Sequence, residues 1–226
     1  MQRYNPFSLV HKALRNMLYD AALTLQQTDF TEPEEANLAI EKIEHVIYTF
    51  EKHAMHEDRF VLPAVEKYEA ALVQSFESEH GEDMKLGNML KNLVNIYRNV
   101  NFEEEKINAG SALCKAFNDF MVFNLQHMSK EEMLINPVLW KYFTDEQVGG
   151  INAQIASNIA PEEMMQMAAW MIKSISLKET ITWLTGVKAN APVFVFESLL
   201  QLAEKHVPAG KFETIKKLLN TSAIAA

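Results

Sequence analysis

The sequence predicts an all-α protein, built as an up-down-up-down four-helix bundle with a C-terminal helical extension. Only seven glycines and seven prolines occur in 226 residues, and long stretches contain neither. Apolar residues recur every three or four positions through most of the chain, which indicates amphipathic helices. Short connections between long helices favour antiparallel neighbours. We assign residues 1–143 to the bundle and residues 144–226 to the extension.

The first two helices are predicted from their starting residues. Asn5-Pro6 precedes an apolar pattern that continues to about Gln27, and proline suits the first helical turn because it lacks a backbone N–H. The second helix begins near Pro33 and continues to about Tyr68. Pro63 lies inside it, where a proline removes a backbone hydrogen bond and bends the helix.

Two more long helices and five shorter ones complete the prediction. The third helix covers about 72–99 and the fourth about 104–142. Beyond them, glycines and prolines separate shorter helical segments, at about 145–158, 162–174, 176–188, 192–206 and 209–220. The extension is expected either to cap the bundle or to bind another copy or a protein partner, and the sequence leaves these alternatives open.

Composition excludes several classes of function. The net charge of −9 argues against nucleic acid and anionic membranes as partners. The chain has no apolar run long enough to span a bilayer. Its first residues lack the apolar core of a signal peptide, so a cytoplasmic protein is expected. The single cysteine, Cys114, excludes an internal disulfide and a thiolate-rich metal site.

Two segments share one template, His-x-x-x-Glu followed by a second acid. His53 and Glu57 stand in the first segment, and His127 and Glu131 stand in the second. Residues four apart lie on the same face of a helix, so each imidazole and carboxylate project together. Imidazole and carboxylate are both metal ligands.

Both pairs lie on predominantly apolar helix faces, which distinguishes them from solvated surface pairs. An ionised carboxylate on such a face is costly unless it is paired or binds a metal. The neighbours in phase are Val46, Thr49, Phe50, Phe60 and Ala64 for the first pair, and Phe120, Phe123, Asn124, Leu134 and Val138 for the second.

Two single histidines, His11 and His80, occupy apolar faces of the first and third helices. Beside His80 the predicted inward residues include Phe76 and Met84. Four imidazoles and two carboxylates suit a pair of divalent ions such as iron, manganese or zinc. The predicted metal ligands are therefore His11, His53, Glu57, His80, His127 and Glu131. Each glutamate would bridge both metals, with His11 and His53 on one and His80 and His127 on the other.

Three further histidines are predicted not to bind metal. His45 and His56 lie about 80° and about 60° around the helix from His53, at the edges of the inward face. His206 lies outside the four-helix region.

The six residues, in this order and spacing, resemble the hemerythrin-like (HHE cation-binding) family over about residues 5–142. The resemblance implies a four-helix bundle holding a non-haem di-iron centre, bridged by carboxylates and an oxo or hydroxo group. It therefore favours two iron ions over manganese or zinc.

Two positions depart from the oxygen-carrying members of that family. Those proteins carry a second histidine on the third helix, where this chain has Phe76 and Met84. Their fourth-helix aspartate corresponds to Glu132, whereas Glu131 fits the ligand position here.

The four-histidine, two-glutamate set is closer to di-iron proteins that repair iron–sulfur centres after nitrosative stress. It is also similar to the hemerythrin-like domains of iron-sensing ubiquitin-ligase subunits. The extension resembles the segment that follows such domains in plant iron-regulatory proteins.

Two functional hypotheses follow. The first is a di-iron protein that binds or reacts with oxygen, nitric oxide or peroxide in stress response or in iron and oxygen handling. The second is an iron- or oxygen-sensing module that folds with its metal and contacts a protein partner. The sequence leaves open whether the protein is an enzyme.

Overall fold

The computed structural model describes residues 3–221, and every regular element in that range is helical. This confirms the predicted all-α class. Its helices are α1 Ser8–Gln27, α2 Pro33–His56, a π turn Glu57–Val61, α3 Leu62–Glu66, α4 Ala70–Asn99, α5 Glu103–Tyr142, α6 Asp145–Ser157, α7 Pro161–Ser174, α8 Leu177–Asn190, α9 Val193–His206 and α10 Ala209–Thr221. None of these helices is both long and apolar enough to cross a bilayer.

The long helices begin where local chemistry favours a helix start. Pro33 opens α2 and is followed by Glu34 and Glu35 in the first turn, and carboxylates are stabilised at the positive end of the helix dipole. Three consecutive glutamates occupy the first turn of α5 in the same way. The helix then passes through Pro137 and ends at Tyr142.

The π turn between α2 and α3 corrects the predicted inward face. A continuous α-helix would place Phe60 and Ala64 inward, but both are only half-buried, whereas Val61 and Val65 are buried. The N–H of Leu62 donates to the carbonyl of Glu57, five residues back. One extra residue therefore enters the turn, and every later residue shifts by one position.

The inward face of α4 also differs from the prediction at one position. Met84 is exposed, with 55% of its surface accessible, and Asp83 is buried instead. The amide of Asn124 on α5 donates to Asp83 Oδ1 at 2.6 Å. That hydrogen bond offsets part of the cost of burying a carboxylate. Polar pairing thus decides which side chain points inward.

The chain forms two compact units. The first comprises the residues up to Pro6 and Met17–Ser157, so it includes α2 to α6 and the second part of α1. The second comprises Phe7–Asn16 and the residues from Asn158 onward. The domains predicted at 1–143 and 144–226 stay a prediction.

The second unit has its own apolar core. The buried residues of this core are Ala168, Ile172, Leu184, Leu199, Ala203, Phe212, Ile215 and Leu219. Polar contacts also join the start of α1 to this unit: Asn16 donates to the Ser174 hydroxyl at 3.0 Å, and Lys12 pairs with Glu179. The extension is therefore folded around apolar packing of its own.

Gly110 on α5 is required by close packing against Phe30. A Cβ at this position would lie 2.2 Å from Phe30 Cγ and 2.8 Å from Phe30 Cβ. Tyr97 fixes the same residue, because its hydroxyl donates to the carbonyl of Phe30 at 2.7 Å. The phenylalanine therefore has little room to move.

We expect Gly110→Ala to lower the free energy of unfolding by about 1–3 kcal/mol, the usual cost of overpacking a core. Chemical denaturation measures this change. Gly150→Ala is the matched control, since a Cβ there meets no atom within 4 Å and alanine is the better helix former. A Gly110→Ala protein as stable as the wild type would contradict the packing.

Candidate metal centre

Five of the predicted ligands lie on four elements of the first unit. His53 is in the last turn of α2 and Glu57 begins the π turn. His80 is on α4, and His127 and Glu131 are on α5. Both glutamates, His80 and His127 are buried, and the His53 side chain is 12% exposed. The structure therefore encloses two carboxylates among three imidazoles.

The ring nitrogens face the carboxylates at short distances. His53 Nε2 lies 3.1 Å from Glu57 Oε1, and His127 Nε2 lies 3.2 Å from Glu131 Oε1. His80 Nε2 lies between the two glutamates, at 3.6 Å from Glu57 Oε2 and 3.9 Å from Glu131 Oε1. Both separations of His80 are too long for hydrogen bonds, so the attraction there is electrostatic.

The ligand atoms form two overlapping groups. Glu57, His80, His127 and Glu131 each offer an atom within 4.8 Å of the others, and His53 joins Glu57 and Glu131 at the same spacing. Both glutamates belong to both groups. Neutral imidazoles with carboxylate oxygens are a donor set that suits iron, manganese or zinc.

The outer nitrogens of two imidazoles are held by carboxylates. Nδ1 of His80 donates to Asp58 Oδ1 at 2.6 Å, and Nδ1 of His127 donates to Glu79 Oε2 at 2.9 Å. Nε2 of each ring is buried and makes no hydrogen bond within the described residues 3–221. A buried nitrogen aimed at carboxylates, with its ring fixed from the far side, fits a metal-binding histidine.

The surrounding charges control the protonation of these rings. Burial lowers the pKa of His80, but the hydrogen bond to Asp58 and the charges of Glu131 and Glu57 outweigh it and raise that pKa to about 12. Burial likewise lowers the pKa of His127, but Glu131 and Glu79 outweigh it and raise that pKa above its ordinary value. Without a cation, the positive charge on His80 therefore offsets part of the charge of the buried carboxylates.

Asp83 adds a third buried carboxylate close to the site, and sequence analysis missed it. Burial raises its pKa, although the hydrogen bond from Asn124 opposes that change. Asp83 lies three residues after His80, and Asn124 lies three residues before His127, so both are on the inward faces of their helices. This spacing is the sequence feature that could have identified Asp83 as an inward residue.

Four further histidines are present in the chain. His11 is fully buried and stacks on Phe7 with 5.0 Å between ring centroids, both residues belonging to the second unit. His45, His56 and His206 are half-buried. None of these last three belongs to a ligand group within the described residues. Their exclusion as ligands stays a prediction.

Comparison with known proteins agrees with this geometry. The family described as "Hemerythrin HHE cation binding domain" matches residues 4–139, more than half of the chain. F-box/LRR-repeat protein 5 of Salmo salar is 26% identical over 153 residues, covering 68% of this chain and 21% of that protein. The Mus musculus protein of the same name is 23% identical over 171 residues, covering 76% of this chain and 24% of that protein. The chain thus spans about a fifth to a quarter of the length of these curated relatives.

Proposed function

Because this chain belongs to the hemerythrin HHE cation-binding domain family, we propose that it is a non-haem di-iron protein that binds or reacts with oxygen, nitric oxide or peroxide. Stress response or iron and oxygen handling is the proposed setting. The residues that would hold the two iron ions are His11, His53, Glu57, His80, His127 and Glu131. A cytoplasmic location is part of the proposal.

The sharing of Glu57 and Glu131 between two ligand groups is the observation that carries it. A mononuclear site needs one set of ligands around one point. Two sets with both carboxylates in common support two ions that share bridging carboxylates. Two buried glutamates also need positive charge nearby, since an uncompensated buried charge is strongly destabilising.

His11 is proposed as the sixth ligand from its place on α1. His11, Leu18 and Leu25 are seven residues apart and lie on one face of the helix. Both leucines are buried within the first unit. His11 is therefore on the face of α1 that turns toward apolar packing, and this position supports the proposal that it would supply a second imidazole ligand.

Aromatic side chains surround one of the histidines. Phe76 packs edge-on against His127 at 5.6 Å and Phe123 stacks beside it at 6.1 Å between ring centroids. This side of the site is therefore apolar, which suits a small uncharged ligand. Iron ions held by these residues would supply redox chemistry, while the protein orients the histidines.

Rapid mixing tests this function. Iron-loaded protein is reduced anaerobically and mixed separately with oxygen, hydrogen peroxide and nitric oxide, while its absorption spectrum is recorded. Spectral change within milliseconds to seconds for at least one ligand is expected. No change with any of the three would contradict a ligand-binding or reactive di-iron function.

The second candidate is a domain that reports iron or oxygen to a protein partner. The matched region is a minor part of its longer relatives, which favours a domain acting within a larger assembly. Metal binding and folding are linked when ligands are buried charges. A large rise in melting temperature on iron loading, without reaction with the three small ligands, would favour this candidate over the first.

Metal binding is expected to release protons and to weaken as the pH falls. The pKa of His80 is raised to about 12, so this ring is protonated in the metal-free protein at neutral pH, and the pKa of His127 is raised as well. A metal binds only the deprotonated nitrogen, so protons should leave when these histidines bind. Calorimetry of anaerobic Fe²⁺ binding in buffers of different ionisation enthalpy counts them. Binding that is independent of pH between 6 and 8 would contradict ligation by these histidines.

A further inference from the structure

The two carboxylates behind the imidazoles, Asp58 and Glu79, are part of no predicted ligand set. Asp58 directly follows Glu57 in the π turn, and the two contact opposite nitrogens of His80: Glu57 faces Nε2 at 3.6 Å and Asp58 accepts from Nδ1 at 2.6 Å. Glu79 directly precedes His80 on α4 but reaches His127 on α5. Each carboxylate therefore acts across an interface between elements.

Glu79 is itself held in place. Its Oε2 accepts from His127 Nδ1 at 2.9 Å while its Oε1 accepts from Lys130 Nζ at 2.8 Å. The Glu79 side chain is 19% exposed, whereas that of Lys130 is 51% exposed. Lys130 lies three residues after His127, so the same helix supplies the histidine and the cation that fixes its partner.

We propose that Asp58 and Glu79 are positioning residues that hold His80 and His127 with Nδ1–H turned outward and Nε2 turned toward the metal. This inference rests on the proposed function. A carboxylate that accepts from one ring nitrogen leaves the other as the metal ligand and increases its basicity. The two rings pack against each other at 4.9 Å between centroids, so fixing both defines one half of the site.

An ordinary surface ion pair explains these contacts less well. Exposed pairs contribute little to stability, and the Asp58 side chain is 46% exposed. Both carboxylates nevertheless accept from the Nδ1 of a ring whose Nε2 faces Glu57 or Glu131. The shared geometry, on rings that are 5–6% exposed, indicates a role in orientation.

The first test is Fe²⁺ affinity, measured anaerobically by competition with a chelator. Asp58→Ala and Glu79→Ala should each weaken binding about 10–100-fold, the usual effect of losing the partner of a metal-bound histidine. Asp58→Asn and Glu79→Gln should restore part of the affinity, since the amide oxygen still accepts from Nδ1–H. Glu77→Ala is the matched control, because Glu77 is exposed on the same helix two residues away.

The second test identifies which histidine each carboxylate holds. In the Zn²⁺-loaded protein, NMR of the histidine ring protons should show an exchange-protected Nδ1–H on His80 and on His127. Asp58→Ala should abolish protection on His80 alone, and Glu79→Ala on His127 alone. A purely structural role would not produce this crossed pattern.

The outcomes separate the two proposals. A wild-type protein that takes up no Fe²⁺ would overturn the proposed function and this inference together. This inference alone would be overturned if the wild type takes up Fe²⁺ normally and both alanine variants bind it with wild-type affinity. The same holds if ring-proton exchange is unchanged from the wild type in both variants. Circular dichroism of the metal-free variants checks that each has folded.

Discussion

Replacing Glu131 with glutamine is expected to remove both iron ions together. Its side chain is fully buried, and Oε1 lies 3.2 Å from His127 Nε2 and 3.9 Å from His80 Nε2. Glutamine keeps the size of the side chain but removes a charge shared by both cations. Iron content per chain should fall from about two toward zero, and the melting temperature should fall with it because binding and folding are linked.

Glu57→Gln should behave in the same way, since Glu57 also belongs to both ligand groups. Glu132→Gln is the matched control, because Glu132 is the next residue on α5 and belongs to neither group. At free iron 100-fold above the dissociation constant, each ion that no longer binds removes about 2.7 kcal/mol of stability. A variant that retains one tightly bound ion would contradict the bridging role.

The histidine substitutions have the second largest expected effect. His127→Ala removes a nitrogen that faces Glu131 and should reduce iron content by more than half, as should His53→Ala. His56→Ala should leave iron content near the wild-type value, although His56 lies only three residues from His53 in the chain. The difference between the two variants tests whether metal binding depends on the helix face that a histidine occupies rather than on its closeness to the site in the sequence.

Elemental analysis of each purified variant measures this contrast. His45→Ala and His206→Ala serve as further controls, because neither residue belongs to a ligand group within the described part of the chain. An equal loss of iron in the His56 and His53 variants would show that the assignment of the inward face is wrong.

The spacing of the two motifs was sufficient to predict which imidazole and carboxylate would lie together. Residues four apart share a helix face whatever surrounds them, so the pairing of His53 with Glu57 and of His127 with Glu131 depends on local geometry alone. Both pairs lie within 3.2 Å between ring nitrogen and carboxylate oxygen. Most helix bounds were also predicted to within a few residues, but the helix predicted from Pro33 to about Tyr68 is divided into α2, the π turn and α3.

Contacts between helices were not predictable from spacing. A fixed period of 3.6 residues per turn predicted that Phe60 would point inward. The extra residue of the π turn makes Val61 the buried residue instead. Hydropathy favoured Met84 over Asp83 as a buried residue, but Asn124 on another helix provides the hydrogen bond that permits burial of the aspartate. Each correction depends on tertiary structure that a single helix does not encode.

The carboxylates behind the rings show the same limit. Asp58 and Glu79 lie on different elements from the histidines that they contact. Both residues are adjacent to predicted ligands in the sequence, but the sequence does not indicate which histidine ring each of them contacts. Only the packing of the π turn against α4, and of α4 against α5, connects them.

The proposed di-iron centre requires that two iron ions share Glu57 and Glu131 in one site. Iron content per chain, combined with Mössbauer spectroscopy of protein produced with ample iron, tests it most directly. We expect about two iron atoms per chain and a spectrum of magnetically coupled ferric ions in the oxidised protein. An iron content near zero, a single stable zinc ion, or uncoupled mononuclear iron would contradict it.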